Sequence, residues 1–113
     1  MLSRHIVLFF REDESTKTKL VDYVMESIAF NFSGGVPTSI VRSKQQWDFS
    51  NAWAPLQELL VTGLKHLNEE KTNKIAYDLV EKWTRNVYVS YVQSGNKMFE
   101  KYDVEQVCLS KSF

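Results

Sequence analysis

Cysteine, histidine and proline are scarce in this 113-residue chain, and neither sign of charge prevails. The single cysteine, Cys108, has no internal disulfide partner, and with histidine only at His5 and His66 no metal-ligand spacing exists. No metal and no other cofactor is expected. Fourteen basic and fourteen acidic side chains cancel to a net charge of zero. That removes the electrostatic footprint that binding to nucleic acid or to an anionic membrane surface requires, so neither partner is expected. A long hydrophobic run is also missing. The stretch Ile6-Val7-Leu8-Phe9-Phe10 falls far short of the roughly 20 residues that cross a bilayer, and Arg11-Glu12-Asp13-Glu14 follows it in place of a small-residue cleavage site. Neither a targeting signal nor a membrane segment is read, and localisation is left open. Asn31-Phe32-Ser33 has the form of a glycosylation sequon, a triplet that is frequent by chance.

What the chain does contain is enough for one modest core: 43% hydrophobic residues, 13% aromatic and 25% charged. No repeat, low-complexity tract or change of composition divides it, so a single domain is expected. Its periodicity is helical. Leu20, Val21, Val24, Met25, Ile28 and Ala29 predict a first helix over 16–30, with Ser15 or Thr16 as its cap and Gly34-Gly35 and Pro37 beyond its end. A second helix is predicted from Trp53 or Ala54 to about Asn68, capped by Asn51, with Pro55 in the first turn and Leu56, Leu59, Leu60, Gly63, Leu64 and Leu67 on one face. A third begins after Lys71 with Thr72 as cap. Ile75, Leu79, Trp83, Val87 and Tyr91 step along it with Ala76 and Val80 beside them, and Ser94-Gly95-Asn96 ends it. Trp83 on that stripe reads as core. Almost nothing but helix is expected, which makes the fold class all-α; on its own the pattern describes a small bundle.

Two segments carry chemistry. Gln45-Gln46-Trp47-Asp48-Phe49-Ser50-Asn51-Ala52-Trp53-Ala54-Pro55 packs two tryptophans, an aspartate and amides around a helix start. Indole faces suit the apolar faces of a pyranose, and Gln46, Asp48 and Asn51 suit its hydroxyls. Taken alone, a tryptophan six residues after another at a helix entrance is more often a packing anchor than a sugar contact. Thr38 and Ser39, after Pro37, either satisfy backbone groups of the preceding loop or line a pocket. The second segment is Glu100-Lys101-Tyr102-Asp103-Val104, in which Glu100 by pattern alone is a surface glutamate beside a lysine.

Gln46-Trp47-Asp48 with Trp53 and Pro55 resembles the QWD-x-x-x-x-W-x-P signature of the trehalases, the inverting glycosidases that split α,α-trehalose into two glucoses. Glu100 to Val104 resembles a second trehalase segment, E-K-Y-D-V. The resemblance covers residues 16–104, with 1–15 and 105–113 atypical; Ser50 stands where many relatives carry proline.

Several expectations come with it. The fold is a slice of an (α/α)6 barrel, of which this chain supplies about three helices. The substrate is trehalose, and no metal takes part. Inversion uses two carboxyl groups about 6.5–9.5 Å apart, one donating a proton to the leaving oxygen and one activating water. The resemblance assigns the second role, the general base, to Glu100. Gln46, Trp47, Asp48, Asn51 and Trp53 become substrate-binding residues. The family's acid lies in a segment rich in glycine, tryptophan and serine that has no counterpart here, and neither do its arginine clusters nor the glycine-rich stretch after E-K-Y-D-V. The chain therefore reads as a fragment of a trehalase catalytic domain, weakly active or inactive by itself. The alternative is a non-catalytic helical interaction module or truncated isoform, and in either case exposed apolar helix faces favour self-association.

Overall fold

The structure, a computed structural model, describes residues 14–107. The expectations for His5, the run Ile6–Phe10 and Cys108 lie outside those residues. Three helices dominate: α1 (Glu14–Glu26), α2 (Ala54–Leu67) and α3 (Glu70–Gln93). None is long and apolar enough to cross a membrane.

The first predicted helix is divided. Ser27 ends α1 and caps a separate 3-10 turn, Ile28–Phe30, accepting a hydrogen bond from the Ala29 amide at 3.2 Å. A serine hydroxyl competes with the helical backbone pattern in this way. The Phe30 carbonyl is held instead by the Lys82 ammonium at 2.9 Å. At the other end, Ser15 and Thr16 lie inside the first turn, which starts at Glu14, and do not cap it. A carboxylate there is favoured by the positive end of the helix dipole.

Asn51 does not cap α2. Trp53 is the cap residue, without a side-chain hydrogen bond, and Pro55 takes the first turn as expected. The C-terminal cap, Asn68, is left-handed at φ 51°, a conformation that asparagine tolerates better than most residues. Thr72 is likewise inside α3 as its third residue. It forms a capping box with Glu69, its hydroxyl accepting from the Glu69 amide at 3.3 Å.

The core lies where the three helices meet. Leu20 and Val24 of α1 pack with Leu60, Leu64 and Leu67 of α2, with Ala76 and Leu79 of α3, and with Ala29 and Val36 from the connecting loop. Five predicted core positions turn outward, since Met25, Ile28, Leu59, Val80 and Tyr91 are exposed. Trp83 is only half-buried. It lines a groove of about 360 Å³ between α2 and α3, with Glu58, Val61 and Thr62 across from it.

The fold is not wholly helical. β1 (Asn51–Trp53) and β2 (Lys101–Asp103) form an antiparallel pair in the register Asn51–Asp103, Ala52–Tyr102 and Trp53–Lys101. Strands this short leave no period-2 pattern to read, and their partners are separated by the whole α2–α3 hairpin.

Candidate active site

The β1–β2 ladder joins the two chemically distinctive segments, and the loop before β1 shows why the chain closes there. Gly34 donates its amide to the Val104 carbonyl at 3.0 Å. A Cβ at Gly34 would fall 2.6 Å from Asn86 Nδ2, 2.6 Å from a Val107 methyl and 2.9 Å from the Val104 Cα, so only glycine permits this approach. Gly35 follows at φ +132°, a region closed to other residues, directly against Gln57 and Trp83. The glycine pair thus brings the loop onto the second segment and does not stop α1, which ends at Glu26.

Two buried amides lock this arrangement. Gln57 of α2 grips Val36 from both sides: Oε1 accepts the Val36 amide at 2.9 Å and Nε2 donates to its carbonyl at 2.7 Å. Asn86 of α3 donates from Nδ2 to the Gly34 carbonyl and to the Asp103 carbonyl, each at 3.0 Å. Both residues are almost fully buried. Neither was singled out from the sequence, although each is a polar residue on an otherwise apolar stripe: Gln57 three before Leu60, Asn86 three before Val89. An amide in such a place is a signal, because burial without partners costs about 1–3 kcal/mol.

The signature loop folds on itself. Ser39 accepts the Val41 amide at 3.0 Å and so serves as a backbone partner. Thr38 and Ser39 also line a small cavity of about 140 Å³ with Tyr23 and Ile40. The Asp48 carboxylate receives the Ser43 hydroxyl, and the Ser43 oxygen in turn accepts the Gln45 amide. Asp48 is therefore engaged within its own loop. Arg42 pairs with Glu105 at 2.7 Å and lies 4.6 Å over the Phe49 ring, tying the loop to the chain beyond β2. Gln46 is exposed on the same loop.

Trp47 stacks on Trp53 with centroids 3.9 Å apart and planes 19° from parallel. Trp47 remains 49% exposed, so one face is backed by Trp53 and the other meets solvent. The Trp53 indole nitrogen and the Thr38 hydroxyl are buried without a hydrogen-bond partner among the described residues. Glu100 is exposed and directly precedes Lys101, the ladder partner of Trp53. One end of the ladder thus carries Trp53, with Trp47 stacked on it, opposite Lys101, the residue that follows Glu100. Asn51 sits at its other end opposite Asp103, whose carboxylate accepts the Glu105 and Gln106 amides at 2.8 and 3.1 Å. Tyr102 anchors β2: its ring meets Trp83 edge-on at 5.3 Å, and its hydroxyl accepts the Phe99 amide at 3.0 Å.

The family profile described as trehalase matches residues 7–112. Among curated relatives, trehalase of Oryctolagus cuniculus is 39% identical over 92 residues, which is 81% of this chain and 16% of that protein. Trehalase of Bombyx mori is 39% identical over 85 residues, 75% of the chain and 14% of that protein. Trehalase of Homo sapiens is 37% identical over 92 residues, again 81% and 16%. The chain spans between 14% and 16% of the length of these relatives.

Proposed function

Because the chain belongs to the trehalase family, we propose that it contributes the water-activating side of a site that hydrolyses α,α-trehalose to two glucoses with inversion. The observation that supports this reading is the β1–β2 ladder, in which Lys101, the residue after Glu100, pairs with Trp53 of the Trp47–Trp53 stack. The second motif is thereby joined to the aromatic pair by the backbone, and a carboxylate within reach of a bound sugar is what water activation needs.

The roles follow from chemistry. Glu100 accepts a proton from water while the water oxygen attacks the anomeric carbon on the face opposite the leaving glucose. The outer face of Trp47 receives the apolar face of a pyranose, with Trp53 as its backing. Gln46, Asn51 and the Asp48 oxygen not engaged by Ser43 address hydroxyls. The leaving oxygen must be protonated by a second carboxyl group, and the resemblance assigns that acid to a segment without a counterpart in these 113 residues. The domain reading is therefore a part of a trehalase catalytic domain rather than a self-sufficient enzyme.

The test is a trehalase in which residues 16–104 of this chain replace the matching segment, with and without Glu100→Gln. Loss of the base should lower turnover by about 100- to 10,000-fold, with the affinity for a competitive sugar inhibitor unchanged. Near-normal turnover in the variant overturns the assignment. The 113-residue chain alone should release no glucose from trehalose above background; turnover in the ordinary range of about 1–1000 per second overturns the two-carboxyl reading.

A further inference from the structure

We propose that Asn86 is a positioning residue for Glu100, an inference that rests on the reading of Glu100 as the base. Asn86 sits on α3, remote in sequence from both motifs, yet its amide nitrogen spends its hydrogens on the second motif and on the glycine loop that packs against it. One goes to the Gly34 carbonyl and the other to the Asp103 carbonyl, each at 3.0 Å, and its own burial leaves 2% exposed.

The geometry assigns it a definite mechanical place. The segment from Lys101 to Val104 is held along one edge by β1 and by the Ser50 carbonyl, which accepts the Val104 amide at 3.0 Å. Along the other edge no strand is present among the described residues. That edge is held by Asn86 at the Asp103 carbonyl and by Gly34 at the Val104 carbonyl. Asn86 also grips Gly34 itself, so one side chain fixes β2 and the loop that supports it. Glu100 lies at the bend that leads directly into β2, three residues before Asp103. A shift of β2 across its ladder therefore displaces the Glu100 carboxylate relative to the Trp47–Trp53 platform.

The residue type matches the task. Two convergent carbonyl oxygens need two donors from one short side chain, which an asparagine NH2 supplies. A carboxylate would set lone pairs against lone pairs, and leucine would leave both carbonyls buried and unpaired.

The experiment uses Asn86→Leu, with Asn86→Ser, which keeps one donor, as the second variant if the first does not fold. In the 113-residue chain, amide exchange is followed residue by residue; exchange should accelerate at Lys101 to Val104 and stay unchanged at Leu60 and Leu64 of α2. In the trehalase carrying residues 16–104, turnover per folded molecule should fall by about 100-fold, the penalty of a displacement near 1 Å at a reacting group. KM and inhibitor affinity should hold. Unchanged turnover per folded molecule overturns the proposal, and so does a joint loss of turnover, inhibitor affinity and protection throughout α2, which marks a residue needed only for stability. Glu100→Gln in the same host separates the two readings. If it abolishes turnover while the Asn86 variants do not, the base stands and the positioning role falls; if it leaves turnover intact, the base falls irrespective of Asn86.

Discussion

Gly34 is the residue on which the meeting of loop, helix and second motif depends. Its missing side chain admits Asn86 Nδ2 and the Val107 methyl at distances no Cβ tolerates, and the third neighbour, the Val104 Cα, is backbone that cannot rotate away. Gly34→Ala should therefore destabilise the chain toward the upper part of the roughly 1–3 kcal/mol that overpacking costs. At about 4–8 °C per kcal/mol for a domain of this size, thermal unfolding should begin at least several degrees lower. A melting curve unchanged from the parent would show that the loop can move off Val104 without penalty. Gly95, with open space around its missing side chain, is the contrasting glycine, conformationally required at φ +74° but sterically unconstrained.

At the level of elements, what was legible in the sequence followed the reach of the interactions. Leu20 and Val24, and Leu60, Leu64 and Leu67, reveal their helices because residues on one helical face recur within a few positions. The same rule misassigned Leu59 and Val80, which are apolar but exposed. Capping was displaced by a residue or more at each helix start, as the box at α3 shows: threonine was expected at the cap, whereas Glu69 occupies it and Thr72 answers from the third position. Thr72 is fully buried, and its hydroxyl both accepts from the Glu69 amide and donates to the Glu69 carbonyl at 3.1 Å. Thr72→Val, equal in shape, should cost about 1–2 kcal/mol. Urea titration should give a lower midpoint at constant slope, since the unfolded surface is unchanged; an unmoved midpoint would mean that the box adds nothing. As for the site, both motifs were readable by resemblance. Their junction was not, because it is made by three-residue strands and by the amides of Gln57 and Asn86, which no local pattern links to them.

Across the whole molecule, the outer side of α3 is conspicuously apolar. Tyr77, Val80, Tyr88, Tyr91 and Val92 recur at helical spacing and are exposed, Tyr77 at 75%, and Leu59 is exposed on α2. Exposed apolar side chains on one side of a helix favour association. The isolated chain should sediment with an average mass that rises with concentration, and Val80→Lys with Tyr88→Lys should suppress the rise. A monomer at every concentration tested would count against an adhesive face.

The pairing of Asn51 with Asp103 also has an entropic side. It closes a loop that contains all of α2 and α3, and for a loop of that length closure costs roughly 3–4 kcal/mol from the logarithmic term alone. A ladder of two three-residue strands offsets little more than that, so the hairpin can form first on its own local contacts and the clasp can open without melting it. A sugar that touched Trp47 and Glu100 together would bridge the two ends of the closed loop. Its binding free energy would then be added to the clasp and not to the hairpin, so substrate would complete the last step of assembly.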